Sequence, residues 1–378
     1  MNFDEIRPYH DEEVHDKIKS LLKEEQFLGV IQQVNPDMPL EDFKQKMQRI
    51  ENIRQFQAEI IVPILERLIK LTTKGVDVDG LENLEKDTAY LFVSTHRDIV
   101  LDSALMNFIL LKEGFETAEI AIGDNLMKIP WIVDLVKLNK TFIVKRNVAK
   151  EDKVKASMQL SSYINYTIKD KQNSIWIAQK AGRSKDGNDQ TNPSLLKMFS
   201  LGAEEATPLE KIKSLNICPI SVAYEYNPCD ALTLPELMTV AKGERYEKQP
   251  MEDLMHMAEG IQGQKGRINV SFGKPINQTL DQLEGIANRN DLLAAISRII
   301  DKQIHTTYHL MPTNYMAYDL LFETTNFSEH YTEGELQAFK TYVEEKITSV
   351  EGPHNFAYHT FLEMYANPVI NKLKENGQ

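Results

Sequence analysis

Between Lys74 and Gly273 this chain keeps alternating short apolar runs with longer stretches of helical spacing. That alternation restricts it to an α/β architecture. The strand-like runs fall at 76–80, 90–94, 120–123, 141–144, 174–178, 217–223 and 267–273. Several are unbroken apolar segments such as Tyr90-Leu91-Phe92-Val93. An unbroken run fits a strand covered on both faces, as a parallel sheet demands. Helical patterns over 103–111, 131–138 and 148–168 lie between the runs.

The flanks read differently. Residues 12–27 and 39–53 are mixed, charged helical patterns. Over 52–71, Phe56, Ile60, Ile64, Leu65, Leu68 and Leu71 recur at helical spacing, and Pro63 predicts a kink. Lys74-Gly75 closes this part. Helical patterns return at 291–304, 315–322 and 333–350. The expectation is a helical segment 1–74, an α/β domain 75–285 and a helical segment 286–378. The predicted fold is α/β, a largely parallel sheet covered by helices.

Composition narrows the function classes. Charged residues make up 26% of the 378 residues and hydrophobic ones 42%, ordinary values for a soluble protein. No apolar run is long enough to span a bilayer, and the acidic start at Asp4-Glu5 lacks a signal peptide's apolar core. Cys218 and Cys229 are the only cysteines and have no metal-ligand spacing. A cytoplasmic location, no metal and no cofactor are expected. A net charge of −13 argues against a nucleic-acid partner. Yet twelve lysines and arginines stand between Lys137 and Lys185 against Glu151, Asp152 and Asp170. That run is either a solvated helix face or a site for an anion such as phosphate.

Four segments concentrate chemistry. The first, His96-Arg97-Asp98 through Asp102, follows the strand at 90–94 and opens a helix. An imidazole beside a carboxylate can act as a base with a fixed tautomer, although such a pair is also an ordinary structural hydrogen bond. The second is Lys145-Arg146-Asn147 after the strand at 141–144. The third is Ala181-Gly182-Arg183-Ser184-Lys185 after the strand at 174–178. The fourth is Pro219-Ile220-Ser221-Val222-Ala223-Tyr224-Glu225.

In this order and context the four segments resemble the blocks of the glycerolipid acyltransferases, most nearly the glycerol-3-phosphate and dihydroxyacetone-phosphate branch. Val78-Asp79-Gly80-Leu81 and Phe272-Gly273-Lys274-Pro275 add to the likeness, which spans roughly residues 76–320. There are two departures. Five residues rather than four separate His96 from Asp102, with Asp98 as a rival partner or a helix cap. Lys180 stands where the family's third block has a glutamate.

The resemblance implies transfer of an acyl chain from acyl-CoA or acyl carrier protein to a hydroxyl of a phosphorylated glycerol. It implies His96 and Asp102 as catalytic residues. Arg97, Lys145, Arg146, Gly182, Arg183, Ser184 and Lys185 are implied as substrate-binding. Such chemistry needs a base for the hydroxyl proton, and guanidinium or ammonium groups for the phosphate. Lys180 leaves open a lysophospholipid or aminolipid acceptor, or a member that binds lipid or acyl carrier without turnover. Peripheral contact with the cytoplasmic face of a membrane, through the apolar stripe at 56–71, is also expected.

Overall fold

Each of the seven apolar runs becomes a strand of one sheet in the computed structural model, which describes residues 2–146 and 148–377. Asn147 of the second basic segment lies outside the described residues. The strands are β1 (Gly75–Asp79), β2 (Leu91–Ser94), β3 (Glu119–Gly123), β4 (Thr141–Val144), β5 (Ile175–Ala178), β6 (Ile217–Tyr224) and β7 (Arg267–Phe272). Their spatial order is β1-β7-β6-β2-β5-β3-β4. All neighbours are parallel except β6 and β7. The predicted largely parallel α/β sheet, covered by helices and flanked by helical N- and C-terminal segments, is the observed fold.

The central strand explains the apolar runs. Every residue of β2 is buried, between β5 on one side and β6 on the other. One face of the sheet is covered by helices Lys153–Lys169, Pro193–Phe199 and Arg289–Thr307, which meet Leu91, Val93, Ile175 and Ile217 in a single core. The other face carries helices Val62–Thr72 and Leu101–Lys112 against Phe92, Trp176 and Val270. The C-terminal helices Pro312–Leu321, Glu333–Thr348 and His354–Glu375 build a separate core with helix Asp230–Ala241.

The N-terminal stripe is core. Phe56, Ile60, Leu65 and Leu68 are buried, and only Leu71 stands exposed. The expected membrane contact through 56–71 therefore lacks an apolar surface to make it. Among the described residues, no helix is long and apolar enough to cross a membrane. Pro63 acts as expected but in a specific form. A π-turn at Gln57–Ile61 precedes helix Val62–Thr72. Pro63 cannot donate a backbone hydrogen bond and crowds the carbonyl one turn back, and the widened turn absorbs both faults. Two other patterns break up. The one at 12–27 becomes helices Asp11–Leu21 and Glu25–Val34, and the one at 148–168 starts its α-helix only at Lys153.

A lysine ties together the segments that lead into β1 and β7 at one edge of the sheet. Lys265, fully buried, donates from Nζ to the carbonyls of Ile261 (3.2 Å) and Gly263 (2.6 Å) and to the Thr72 hydroxyl (3.1 Å). Burial holds its ammonium down to about 8. Between that value and the unfolded one near ~10.4, the unfolded chain binds a proton that the folded chain does not. Stability should therefore rise with pH across this window. Urea midpoints of the wild type minus those of Lys265→Met, from about pH 7.5 to about pH 10.5, check it. A flat difference would show that Lys265 titrates as it does when unfolded.

Candidate active site

Strands β2, β3, β4 and β5 run parallel, so the loops after them share one edge of the sheet. Loops at the carboxyl ends of parallel strands are where such folds place ligands. His96 follows β2, and Asp102 is the second residue of helix Leu101–Lys112. His96 Nδ1 lies 2.9 Å from Asp102 Oδ2. The extra residue between them is taken up by a turn. Asp98 Oδ1 accepts the amides of Val100 (2.8 Å) and Leu101 (2.7 Å), which brings the helix round to the histidine. Asp98 thus braces the helix start, and Asp102 meets the ring.

Asp102 is completely buried and collects four donors. Oδ2 accepts the amides of Arg97 (2.6 Å) and Asp98 (3.0 Å) besides the imidazole, and Oδ1 accepts the Tyr224 hydroxyl (2.7 Å). A carboxylate offers only acceptors, so the ring proton belongs on Nδ1 and the lone pair on Nε2. Trp176 packs edge-on against the imidazole at 5.4 Å between centroids. Burial, and then the Asp102 charge, push the Tyr224 phenol well up, which keeps it a donor. The same two causes raise the Asp98 carboxyl, whose Oδ2 is buried without a partner among the described residues.

Beside His96 a cleft of about 440 Å³ opens. Val144, Leu160, Ile177, Leu195 and Met198 give it an apolar side, and Arg146, Lys180, Gly182, Arg183, Lys185 and Lys248 a polar, mostly cationic one. Gly182 stands at φ 83°, with open space where a side chain would project. Arg146 and Arg183 thus come to the same cleft as His96. No carboxylate among the described residues forms an ion pair with either arginine. Lys180 donates to the Asn188 carbonyl at 3.2 Å.

The remaining sequence candidates are taken up by partners within the protein. Arg97 is buried in a bidentate ion pair with Asp189 (2.6 and 2.5 Å), donates to the Ser184 carbonyl and sits over the Tyr308 ring. It ties the histidine loop to the third segment and does not line the cleft. Ser184 is buried too. Its amide donates to the His96 carbonyl at 2.7 Å, and its hydroxyl donates to the Asn188 carbonyl at 3.0 Å. Lys145 pairs with Glu5 outside the cleft. Lys185 does line the cleft, but Glu236 holds its ammonium, which burial also lowers.

Several site residues gave no sequence signal. Glu236, Lys248, Asp253 and His256 lie beyond the end of β6, on or between helices Asp230–Ala241 and Glu252–Gln262. The second of these helices buries only His256 and Gly260. Leu254, Met257 and Ile261 recur along it at helical spacing, but such a stripe gives no sign that His256 reaches the site. Among the described residues no cluster of histidine, cysteine and carboxylate groups could hold a metal ion.

Comparison with known proteins follows this geometry. Residues 75–223 match the model of the family described as Acyltransferase. Among solved structures, the 1-acyl-sn-glycerophosphate (LPA) acyltransferase PlsC from Thermotoga maritima is similar at 15% identity and a TM-score of 0.34. The match covers 76% of this chain and 95% of that one. No curated protein matches the sequence.

The Arg97 ion pair gives a test of its structural role. Asp189→Ala leaves a buried guanidinium uncompensated and should cost about 3–5 kcal/mol of stability in urea denaturation. A loss below about 1 kcal/mol, the scale of an exposed pair, would mean that Arg97 is not held as described.

Proposed function

We propose that the chain, whose residues 75–223 match the model of the family described as Acyltransferase, moves an acyl group from a thioester to a hydroxyl of a phosphorylated glycerol. The observation that carries this reading is the placement of His96, its Nδ1 committed to Asp102, at a cleft with one apolar and one cationic side.

The chemistry follows from the groups present. His96 Nε2 takes the acceptor's hydroxyl proton as the oxygen attacks the thioester carbonyl, and Asp102 steadies the imidazolium that forms. The proton then goes to the departing thiolate. Tyr224 and the two loop amides keep Asp102 fixed while the charge on the ring changes. The apolar side, from Val144 to Met198, suits the acyl chain. Arg146 and Arg183 suit the acceptor's phosphate, because a guanidinium without a carboxylate partner keeps its full charge for a ligand. Acyl-CoA and acyl carrier protein both present the required thioester. The intact His96–Asp102 contact speaks for turnover rather than for a binding-only member. Lys180 is turned to the Asn188 carbonyl of its own loop, so it supplies no argument for a different acceptor.

Thiol release from acyl-CoA and from acyl carrier protein, each with glycerol 3-phosphate, tests the reading. His96→Ala should lower turnover by roughly 10²–10⁴-fold. Arg183→Ala should weaken the acceptor by about 1.5–3 kcal/mol, seen in its KM, with a smaller effect on the thioester. Near-normal turnover by His96→Ala would remove the base from the mechanism. An unchanged acceptor KM in Arg183→Ala would remove the phosphate assignment.

A further inference from the structure

Arg183 is held differently from the other cations around the cleft. Lys185 is met by Glu236, Lys248 by Asp253 at 2.7 Å, and Arg97, behind the histidine loop, by Asp189. Arg183 instead donates from Nη2 to Nδ1 of His256. Asp253, the acidic neighbour on the same helix, is already taken by Lys248. The imidazole is 2% exposed. Because Nδ1 accepts from a guanidinium, which can only donate, the ring proton sits on Nε2. That nitrogen is buried with no partner among the described residues.

A buried donor without an acceptor is costly, and a leucine of similar size would avoid the cost. Such a breach of local rules calls for a compensating role. The neutral ring supplies what leucine and a carboxylate each lack. Leucine cannot accept from the guanidinium. A carboxylate could accept, but it would cancel much of the charge that attracts an anion into the cleft. Burial, followed by the Arg183 charge, holds the imidazole down to about 4, so it stays neutral beside the arginine at ordinary pH.

The helix that carries His256 is also tied to the rest of the site. The His256 carbonyl accepts from the Cys229 thiol at 3.2 Å. A Cβ at Gly260 would stand only 2.0 Å from Oδ2 of Asp98, the residue that braces the Asp102 helix. Arg183 is thereby held by an element packed against the loop of His96.

We propose that His256 is a positioning residue, a charge-neutral brace that aims Arg183 at the acceptor's anionic group while leaving the guanidinium charge available. This rests on the reading that Arg183 binds the acceptor's phosphate. His256 acts through Arg183 and touches no reacting atom.

Three substitutions in the full chain separate the brace from a packing role. His256→Asn keeps an acceptor near the Nδ1 position, His256→Leu removes it, and His256→Asp keeps it but adds a negative charge. The KM for glycerol 3-phosphate, the KM for the thioester, kcat and the melting temperature are measured for each, with Arg183→Ala alongside. We expect His256→Leu to raise the acceptor KM by about tenfold, the scale of losing one hydrogen bond to a charged group. His256→Asn should recover it to within about threefold of wild type, and His256→Asp should exceed His256→Leu. The thioester KM should stay put in all three. Equal acceptor KM values for the asparagine and aspartate variants would overturn the brace, and so would an unchanged value for a folded leucine variant. Should His256→Leu fail to fold, the asparagine–aspartate comparison decides alone. An unchanged acceptor KM in Arg183→Ala overturns the phosphate reading and the brace with it. A raised value there, with the three His256 variants alike, overturns the brace only.

Discussion

The buried carboxylate of Asp102 is the point on which the site depends. Four donors from two parts of the chain converge on it: the His96 ring and the amides of Arg97 and Asp98 in one loop, and the Tyr224 hydroxyl at the end of β6. A wholly buried carboxylate is tolerable only when its acceptor sites are filled in this way. Its demand for donors therefore shapes the loop after β2. It curls the backbone so that two amides point inward, and it fixes which ring nitrogen of His96 carries the proton. The donor from β6 links this loop to the neighbouring strand. A histidine held rigidly at the edge of a parallel sheet is the result.

Charge pairing sorts the basic residues. The run from Lys137 to Lys185 looks uniform in the chain, yet the fold divides it. Lys145, Lys169, Lys171 and Lys185 each meet a glutamate. Lys137 lies over the Tyr9 ring, and Lys140 is tucked against the Thr117 carbonyl and Glu116. Lys150, Lys153 and Lys155 stand exposed outside the cleft, and within the cleft the two guanidinium groups of Arg146 and Arg183 are the cations without an ion pair among the described residues. Their value to an anion comes less from their number than from the lack of a carboxylate at hydrogen-bond distance. Arg97 shows the opposite outcome. Bound at both nitrogens by Asp189, it serves as a strut between two loops of the site.

Much of this was legible in the chain. The seven strands could be read because buried parallel strands leave unbroken apolar runs, and Tyr90-Leu91-Phe92-Val93 is such a run. The partnership of His96 with Asp102 could be anticipated despite the extra residue, because the apolar helix after Asp102 set the register. His256, Glu236 and Lys248 could not. They sit between β6 and β7, Glu236 and His256 on two helices and Lys248 in the loop between them, and no local pattern shows that this segment folds onto the site. The apolar stripe at 56–71 was legible as a helix, but its covering was not. Spacing shows that a face is apolar and leaves open whether protein or lipid covers it.

The sequence by itself thus determined the elements, their order, and the juxtaposition of histidine, carboxylate and basic loops along one edge of a parallel sheet. Those properties follow from local periodicity and from the shared direction of parallel strands. Only the tertiary structure decided which cation meets which anion. Arg97 found Asp189 across 92 positions, and Arg183 found His256 across 73. Pairing at such separation depends on how helices and loops pack on the sheet, and no short-range pattern encodes it.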